Sequence, residues 1–257
     1  MYMESMKQSI VKAMDGTDTQ IFPFLPFILQ DLWEIGSDPE EIIGLIKKHA
    51  SDYRALRVLD LGCGKGAVSV KVAGALGCHC MGIDGIEEFI EFAKRKAEEF
   101  RVSSLCFFKT DDIRIAVRNL SDFDIIILGS IGPVFGDYFQ TLTTLSGCLK
   151  RNGFFIISDG YIDDLSNFSH PSLQKRSSVI EQITKAGMKL KDEKTGNQDQ
   201  IRSIDDDILV KIKTRCSQLI EKYPEKEKLF LDYIKNQEIE TEVLENKIIC
   251  STMVISK

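Results

Sequence analysis

From Arg57 to Ser158 the chain alternates short β-branched or apolar runs with longer segments of helical period, and this alternation constrains the fold more than any other feature. Strands separated by helices pack as a parallel sheet with helices on both faces, so the pattern predicts a doubly wound α/β fold. The predicted strands are 57–61 (RVLDL), 79–84 (HCMGID), 104–109 (SLCFFK), 123–129 (FDIIILG) and 153–158 (GFFIIS). Between the second and third, Ile86, Phe89, Ile90, Ala93, Ala97 and Phe100 recur at steps of three and four. Such spacing marks the buried face of a helix lying on the sheet.

A further periodic segment, 172–186, ends at Gly187, a residue suited to a helix C-cap. MKLKDE (188–193) and KIICSTMVIS (247–256) then complete a seven-stranded, mostly parallel sheet. Between these last two strands Ile201, Ile204, Ile208, Ile212, Cys216 and Leu219 repeat at three or four, which predicts a helical insertion over about 198–240, with a second short helix at 225–234. Ahead of the sheet, Asp38-Pro39-Glu40-Glu41 supplies an N-cap, a proline at the first helical position and first-turn acids, so a helix runs from there to about His49. The aromatic stretch before it, with Phe22, Phe24, Phe27 and Trp33, reads as core packing, with a lid as the rival reading. The expected organisation is an N-terminal helical segment, 1–50, followed by one domain, 51–257, carrying the sheet and the insertion.

The 33 basic residues are outnumbered by 39 acidic ones, a net charge of −6, which disfavours an electrostatic grip on nucleic acid. Cys63, Cys78, Cys80, Cys106, Cys148, Cys216 and Cys250 are odd in number, sit mostly in apolar runs and form no CxxC pair. A reducing, cytoplasmic setting fits them better than a disulfide framework. Cys78-His79-Cys80 suits a strand whose side chains alternate faces, and without a second ligand pair at zinc spacing no metal is expected. The first twenty residues are polar and mixed in charge, and the apolar run Ile21 to Leu29 is interrupted by Pro23 and Pro26. It falls short of the ~20 residues a spanning helix needs, so neither a secretory signal nor a membrane span is expected.

In an open parallel sheet, ligands bind beyond the carboxyl ends of the strands, near the switch in strand order. VLDLGCGKGA (58–67) puts Asp60 at the end of the first strand, followed by Gly62, Gly64 and Gly66. Glycines there let the backbone approach a ligand closely. The run satisfies the loose dinucleotide pattern G-x-G-x-x-[GA], and Asp84 stands 22 residues past Gly62, where a ribose-binding acid belongs. Asp60 separates the readings: it repels a diphosphate and attracts a ligand bearing an ammonium and a sulfonium. S-adenosyl-L-methionine carries both charges and no phosphate.

VLDLGCGKGA resembles the first motif of class I S-adenosylmethionine-dependent methyltransferases, in which D-x-G-x-G ends the first strand. GIDGIEEFIEFAKRKA resembles the next motif, and FFKTDD with FDIIILGSIG resembles the ends of strands three and four, so the resemblance covers roughly 57–159. It implies a Rossmann-like methyltransferase fold with S-adenosyl-L-methionine as cofactor. It implies that Asp60 and the backbone of Gly62, Cys63, Gly64 and Gly66 hold the methionine end, that Asp84 accepts both ribose hydroxyls, and that Asp111 accepts the adenine amine with the Asp112 backbone close to the ring. The resemblance further implies that Leu128 and Gly129 line the pocket under the sulfonium. The family's usual bulky residue after the ribose acid is here Gly85, so Ile86 or Ile113 supplies the adenine surface, or the purine is held more loosely. Rival readings are a plain strand-to-helix turn for Asp60 and its glycines, an N-cap for Asp84, and helix capping for Asp111 and Asp112.

Methyl transfer from a sulfonium is an in-line displacement in which the protein positions the acceptor and supplies a base where a proton must leave. The expected acceptor-side candidates lie in one loop after strand five: Asp159, Tyr161 and His170, the last suited by its ordinary pKa to proton removal at neutral pH. LGSIGP lacks the Asn/Asp-Pro-Pro-aromatic sequence that relatives use on exocyclic base amines, which argues against DNA adenine methylation. The insertion and the aromatic N-terminal segment, read as a cap on the ligand edge, favour a small-molecule acceptor over a macromolecule. Alternatives are methylation of protein or RNA, a non-catalytic binding module for the cofactor, and an NAD-binding oxidoreductase. Nothing in the sequence sets an oligomeric state.

Overall fold

The computed structural model describes residues 5–257. The chain divides into a helical unit, built from the chain up to Leu32 and Gly196–Ile249, and a sheet unit, Trp33–Thr195 with Cys250–Lys257. The division falls after Leu32 and not at residue 50, because the helix Pro39–His49 sends Ile42, Ile43, Leu45 and Ile46 into the core of the sheet unit. Asp38 caps that helix as its sequence predicts, its Oδ1 accepting from Glu40 N at 2.8 Å.

The strands are β1 (Arg57–Leu61), β2 (His79–Asp84), β3 (Cys106–Thr110), β4 (Phe123–Gly129), β5 (Leu149–Tyr161), β6 (Lys189–Thr195) and β7 (Ile249–Ser256). They form one sheet in the order β3-β2-β1-β4-β5-β7-β6, with β1 parallel to β2 and β4, β2 parallel to β3, and β4 parallel to β5. β6 and β7 pair antiparallel. The order reverses at β1, whose neighbours are β2 and β4, so the ligand crevice of a doubly wound sheet lies beyond Leu61. Register pairs Asp60 with Gly82 and Gly129 with Ser158, which brings the carboxyl ends of β1, β2, β4 and β5 to one edge.

β5 is longer than its apolar run implies. It begins at Leu149, bends where the register shifts between Phe123 and Ile125 of β4, and continues past Ser158 to Tyr161. The helix Glu87–Glu99 buries Phe89, Ile90, Ala93 and Ala97 as predicted, but Phe100 caps its C-terminus, remains 47% exposed and tilts against the Trp33 ring at 5.1 Å. The segment read as helical from residue 172 turns helical only at Arg176, because Lys175 is drawn into a bridge with Ile162. In Cys78-His79-Cys80 the two cysteines are buried and His79 faces out, as the strand reading requires.

In the helical unit, Gln198–Lys222 starts on an Asn197 cap and buries Ile212, Cys216 and Leu219. The first half of its periodic run does not join them: Ile204 is 59% exposed. The second helix is twice the predicted length, Glu227–Lys247, because the glutamate-rich segment past Ile234 carries good helix formers and no breaker. Phe24 packs edge-on against Phe230 at 5.0 Å and Tyr223 at 5.5 Å, whereas Phe27 is 38% exposed. Among the described residues no helix is long and apolar enough to cross a membrane.

Candidate functional site

Beyond β1 the chain makes a tight turn in which Gly62, Gly64 and Gly66 all take positive φ, at 71°, 51° and 74°. Only glycine enters that region without cost, so three such residues in five specify this turn. Gly62 N and Cys63 N both donate to Ile83 O, at 2.8 and 3.1 Å, tying the turn to β2. The glycines differ in surroundings. A Cβ on Gly62 would lie 2.5 Å from Ile131 Cγ2 and one on Gly66 2.6 Å from Ala93 Cβ, whereas one on Gly64 would meet nothing within 4 Å. Two of the glycines therefore let the protein pack, and the third leaves open space in front of the backbone. The Trp33 indole supports the turn from outside, donating to Lys65 O at 3.1 Å.

Two carboxylates flank it. Asp60 is 3% exposed, and its Oδ2 accepts from Ser69 Oγ at 2.7 Å, in the helix Ala67–Leu76. Burial pushes its pKa up to about 6, the Ser69 hydrogen bond pulls it down, and nearby Asp84 pushes it up again. Asp84 is 7% exposed, with Oδ2 accepting from Gly64 N and Oδ1 from Ile86 N, both at 2.9 Å. Burial raises its pKa against those backbone hydrogen bonds. Neither acid has a basic partner among the described residues. Asp84 is not the N-cap of the following helix, a position taken by Ile86. A pair of buried acids left without a cation is costly for the protein alone.

Ile86 and Ile113 are both buried and Gly85 is half-buried between Asp84 and Ile86. The two acids after β3 separate. Asp112 caps the helix Ile113–Ala116 through Arg114 N at 3.0 Å and pairs with the Arg114 guanidinium at 2.7 Å, which together hold its carboxyl below the usual range. The capping reading therefore describes the Asp112 side chain. Asp111 lies at the crevice edge, its N donating to Asp84 O at 3.0 Å and its Oδ2 paired with the half-exposed Lys109 at 2.6 Å.

Past β4 and β5 lies a cavity of about 300 Å³. Leu128, Ile131, Pro133, Phe135, Ile157 and Leu173 form its apolar walls, and Tyr138, Thr141, Ser158 and Asp159 bring polar groups to it. Ile131, the side chain that packs over Gly62, joins the cavity to the glycine turn. Gly129 stands behind Leu128, with no room for a Cβ because Ser37 Oγ would lie 2.5 Å away.

The three residues expected in one loop divide here. Asp159 and Tyr161 lie at the C-terminal end of β5, not in a loop, because the strand outruns its apolar run. Asp159 lines the cavity; Tyr161 is buried beside Glu193 and Arg176, which pair at 2.6 Å; His170 stacks on Phe168, and its neighbour Pro171 lines the cavity in its place. Asp159 is half-buried by area, yet its carboxyl is enclosed enough for desolvation to raise its pKa to about 6, against one hydrogen bond from Gly160 N at 2.7 Å. Tyr138 was not visible as a site residue in the sequence. Its hydroxyl is buried without a hydrogen-bond partner among the described residues, a condition that costs about 1–3 kcal/mol if nothing fills it.

A family model described as "Methyltransferase domain" matches residues 52–240, most of the chain. The chain belongs to this family. Within it, 122 residues are 30% identical to a ubiquinone biosynthesis O-methyltransferase of Rickettsia felis, covering 46% of this chain and 47% of that protein. The chain thus spans about half the length of the curated relatives it matches. Among solved structures, an S-adenosylmethionine-dependent methyltransferase from Thiobacillus denitrificans, in complex with S-adenosyl-L-homocysteine, superposes with a TM-score of 0.73 at 19% identity, over 90% of this chain and 97% of that one. One from Geobacter sulfurreducens, with the same ligand, gives 0.73 at 18% identity over 91% and 97%. At these identities the likeness is one of fold, and that fold is the Rossmann-like fold of class I S-adenosylmethionine-dependent methyltransferases. In this methyltransferase domain the glycine turn, Asp60 and Asp84 stand at the crevice of that fold.

Proposed function

We propose that the protein transfers a methyl group from S-adenosyl-L-methionine to a small-molecule acceptor. The observation that carries this reading is the pair of buried acids, Asp60 and Asp84, set without a basic partner among the described residues on either side of a turn whose middle glycine faces open space. A diphosphate would add negative charge to that pair, whereas an ammonium and a sulfonium compensate it. The bound cofactor supplies an electrophilic methyl group.

The residues of the chain then bind and orient. Gly64 gives backbone access to the methionine end, with Asp60 as its buried counter-charge. Asp84, whose two oxygens are fixed by Gly64 N and Ile86 N, keeps lone pairs for a vicinal diol. Ile86 and Ile113 offer apolar surface for the purine that Gly85 cannot, and Asp111 is the acceptor for its amine. Leu128 and Gly129, at the end of β4, form the floor beneath the reacting centre, and the adjoining cavity receives the acceptor. A cavity of about 300 Å³ suits a small molecule better than a peptide or RNA segment.

Calorimetric titration of the full chain with S-adenosyl-L-homocysteine and, separately, with NAD tests this reading. The expected result is saturable binding of the first and none of the second. Binding of NAD without any response to S-adenosyl-L-homocysteine would overturn it in favour of an oxidoreductase.

A further inference from the structure

The cavity beyond β4 and β5 narrows the acceptor further, on the methyl-transfer reading just given. We infer that the acceptor is a compact, largely apolar molecule presenting an uncharged hydroxyl, with Asp159 taking its proton and the Tyr138 hydroxyl orienting its oxygen.

The position follows from Ile131. This one side chain covers Gly62 of the cofactor turn and also walls the cavity, so a molecule in the cavity lies beside the crevice where the methyl group is delivered. The walls are more apolar than polar, and the volume admits a single substituted ring. Of the polar groups there, Ser158 is engaged by Thr252 and Thr141 by Gly136 O, and two others are left to serve a ligand. Asp159 has no basic partner among the described residues, and only Gly160 N donates to it. Tyr138 Oη is buried and has no partner among the described residues.

Their chemistry is complementary to a hydroxyl. An alcohol or phenol donates one proton and accepts through oxygen lone pairs; Asp159, when ionised, only accepts, and Tyr138 can donate. An ammonium carries donors alone, so it leaves the Tyr138 proton without an acceptor. A carboxylate or phosphate meets a field of the wrong sign. The charged and titratable groups around Asp159 are Tyr138 and Asp137 at the start of the helix Tyr138–Leu145, and Glu193 on β6 with Arg176 and Tyr161 about it. Arg176 is already engaged by Glu193, and Asp137 caps its helix through Gln140 N at 2.8 Å. The tyrosine is held in its donor form, since burial first, then Asp159 and Glu193, push its pKa well above the ordinary value.

In the step itself the acceptor O–H proton passes to the Asp159 carboxylate while an oxygen lone pair forms the new C–O bond to the methyl carbon of S-adenosyl-L-methionine. The C–S bond breaks with its electron pair left on sulfur, giving the neutral thioether, and Asp159 later returns the proton to water. Both charge and atoms balance.

Calorimetry on the full chain saturated with S-adenosyl-L-homocysteine, with catechol, benzylamine and benzoate as neutral, cationic and anionic probes of one ring size, tests the inference. Catechol is expected to bind more tightly than either charged probe, and its affinity to fall as pH drops through the titration of Asp159. Tyr138→Phe should weaken catechol about tenfold, the effect of one hydrogen bond, while S-adenosyl-L-homocysteine still binds as in the parent. Asp159→Asn should remove the pH dependence. Tighter binding of benzylamine or benzoate would overturn the assignment of a hydroxyl. Failure of all three probes with S-adenosyl-L-homocysteine still bound would overturn the cavity's role alone. Failure of S-adenosyl-L-homocysteine itself would bring down the cofactor reading and this inference with it.

Discussion

Ser69 Oγ donates to Asp60 Oδ2 across 2.7 Å, and this is the main interaction that offsets the burial of the Asp60 charge. Because the folded pKa, about 6, lies above the ordinary 3.8, the folded state holds the proton more tightly than the unfolded chain. The associated stability is complete below the unfolded value and is lost as pH rises through the folded one. At neutral pH the ligand-free protein therefore bears the cost of an ionised buried acid. Asp60→Asn should stabilise the ligand-free protein at neutral pH, on the order of 2 kcal/mol, and flatten its stability between pH 4 and 7, roughly. It should also weaken S-adenosyl-L-homocysteine by about tenfold to a hundredfold through loss of a charge-assisted contact. Thermal melts with and without the ligand check both signs.

The glycines of the turn should separate by substitution. Gly66→Ala forces a Cβ to within 2.6 Å of Ala93 Cβ and 3.0 Å of the Phe108 ring in addition to its backbone strain. Its cost falls on folding, at about 2–5 kcal/mol. Gly64→Ala carries only the strain, about 1–2 kcal/mol, since its Cβ meets nothing within 4 Å. Its cost should fall instead on the ligand that occupies that space. Denaturant unfolding alongside ligand titration distinguishes them: a Gly64→Ala protein that binds S-adenosyl-L-homocysteine unimpaired would show that the open side is not the ligand's.

Adjacent acids after β3 offer a second contrast. Asp112→Ala removes a helix cap and the Arg114 ion pair, so it should lower stability by about 1–2 kcal/mol with ligand affinity little changed. Asp111→Ala breaks the Lys109 pair, whose partner is half-exposed, and the hydrogen bond that Asp112 N donates to Asp111 Oδ1 at 2.8 Å, and should lower stability by about 0.5–1 kcal/mol. Its effect should instead appear on adenosine affinity. Titration with adenosine alone, which lacks the methionine end, isolates that contact.

What the residues disclosed in advance follows from how local each signal is. The glycine turn and Asp84 were legible because positive φ and a strand-ending acid leave a mark on consecutive residues, and the Asp38-Pro39 helix start because a cap is a local hydrogen bond. The ends of β5 were not legible: the apolar run marks only 153–158, whereas Lys150, Arg151 and Asn152 belong to the strand as residues bulged between the Leu149–Phe123 and Phe154–Ile125 pairs, an irregularity that only the assembled sheet sets. Tyr138 and Ile131 were hidden for the same reason. They belong to a connection shaped by the positive-φ residues Ser130, Gly132 and Gly136, and their nearness to Gly62 and Asp159 is a property of the assembled sheet edge and of no short stretch of sequence. The amphipathic face of Pro39–His49 does not announce which core it will enter, and that core is the one beneath the sheet.

Asp159, Tyr161 and His170 can be told apart by the pH dependence of methyl transfer. Asp159 lines the cavity with a carboxyl raised to about 6, so a reaction that needs it ionised should gain rate as pH rises through that value and level off above it. Asp159→Asn should cost about 10²–10⁴ in kcat and abolish that limb, because the amide accepts a hydrogen bond but takes no proton. Tyr161 is engaged with Glu193 and Arg176 away from the cavity lining, so Tyr161→Phe should lower the melting temperature more than it alters kcat. His170→Ala should leave the acidic limb where it is, since His170 packs on Phe168 and it is Pro171 that reaches the cavity. With a phenolic acceptor and S-adenosyl-L-methionine, initial rates across pH for the parent and the three variants make the comparison. A limb that moves with His170→Ala and persists in Asp159→Asn would transfer the base role to the histidine.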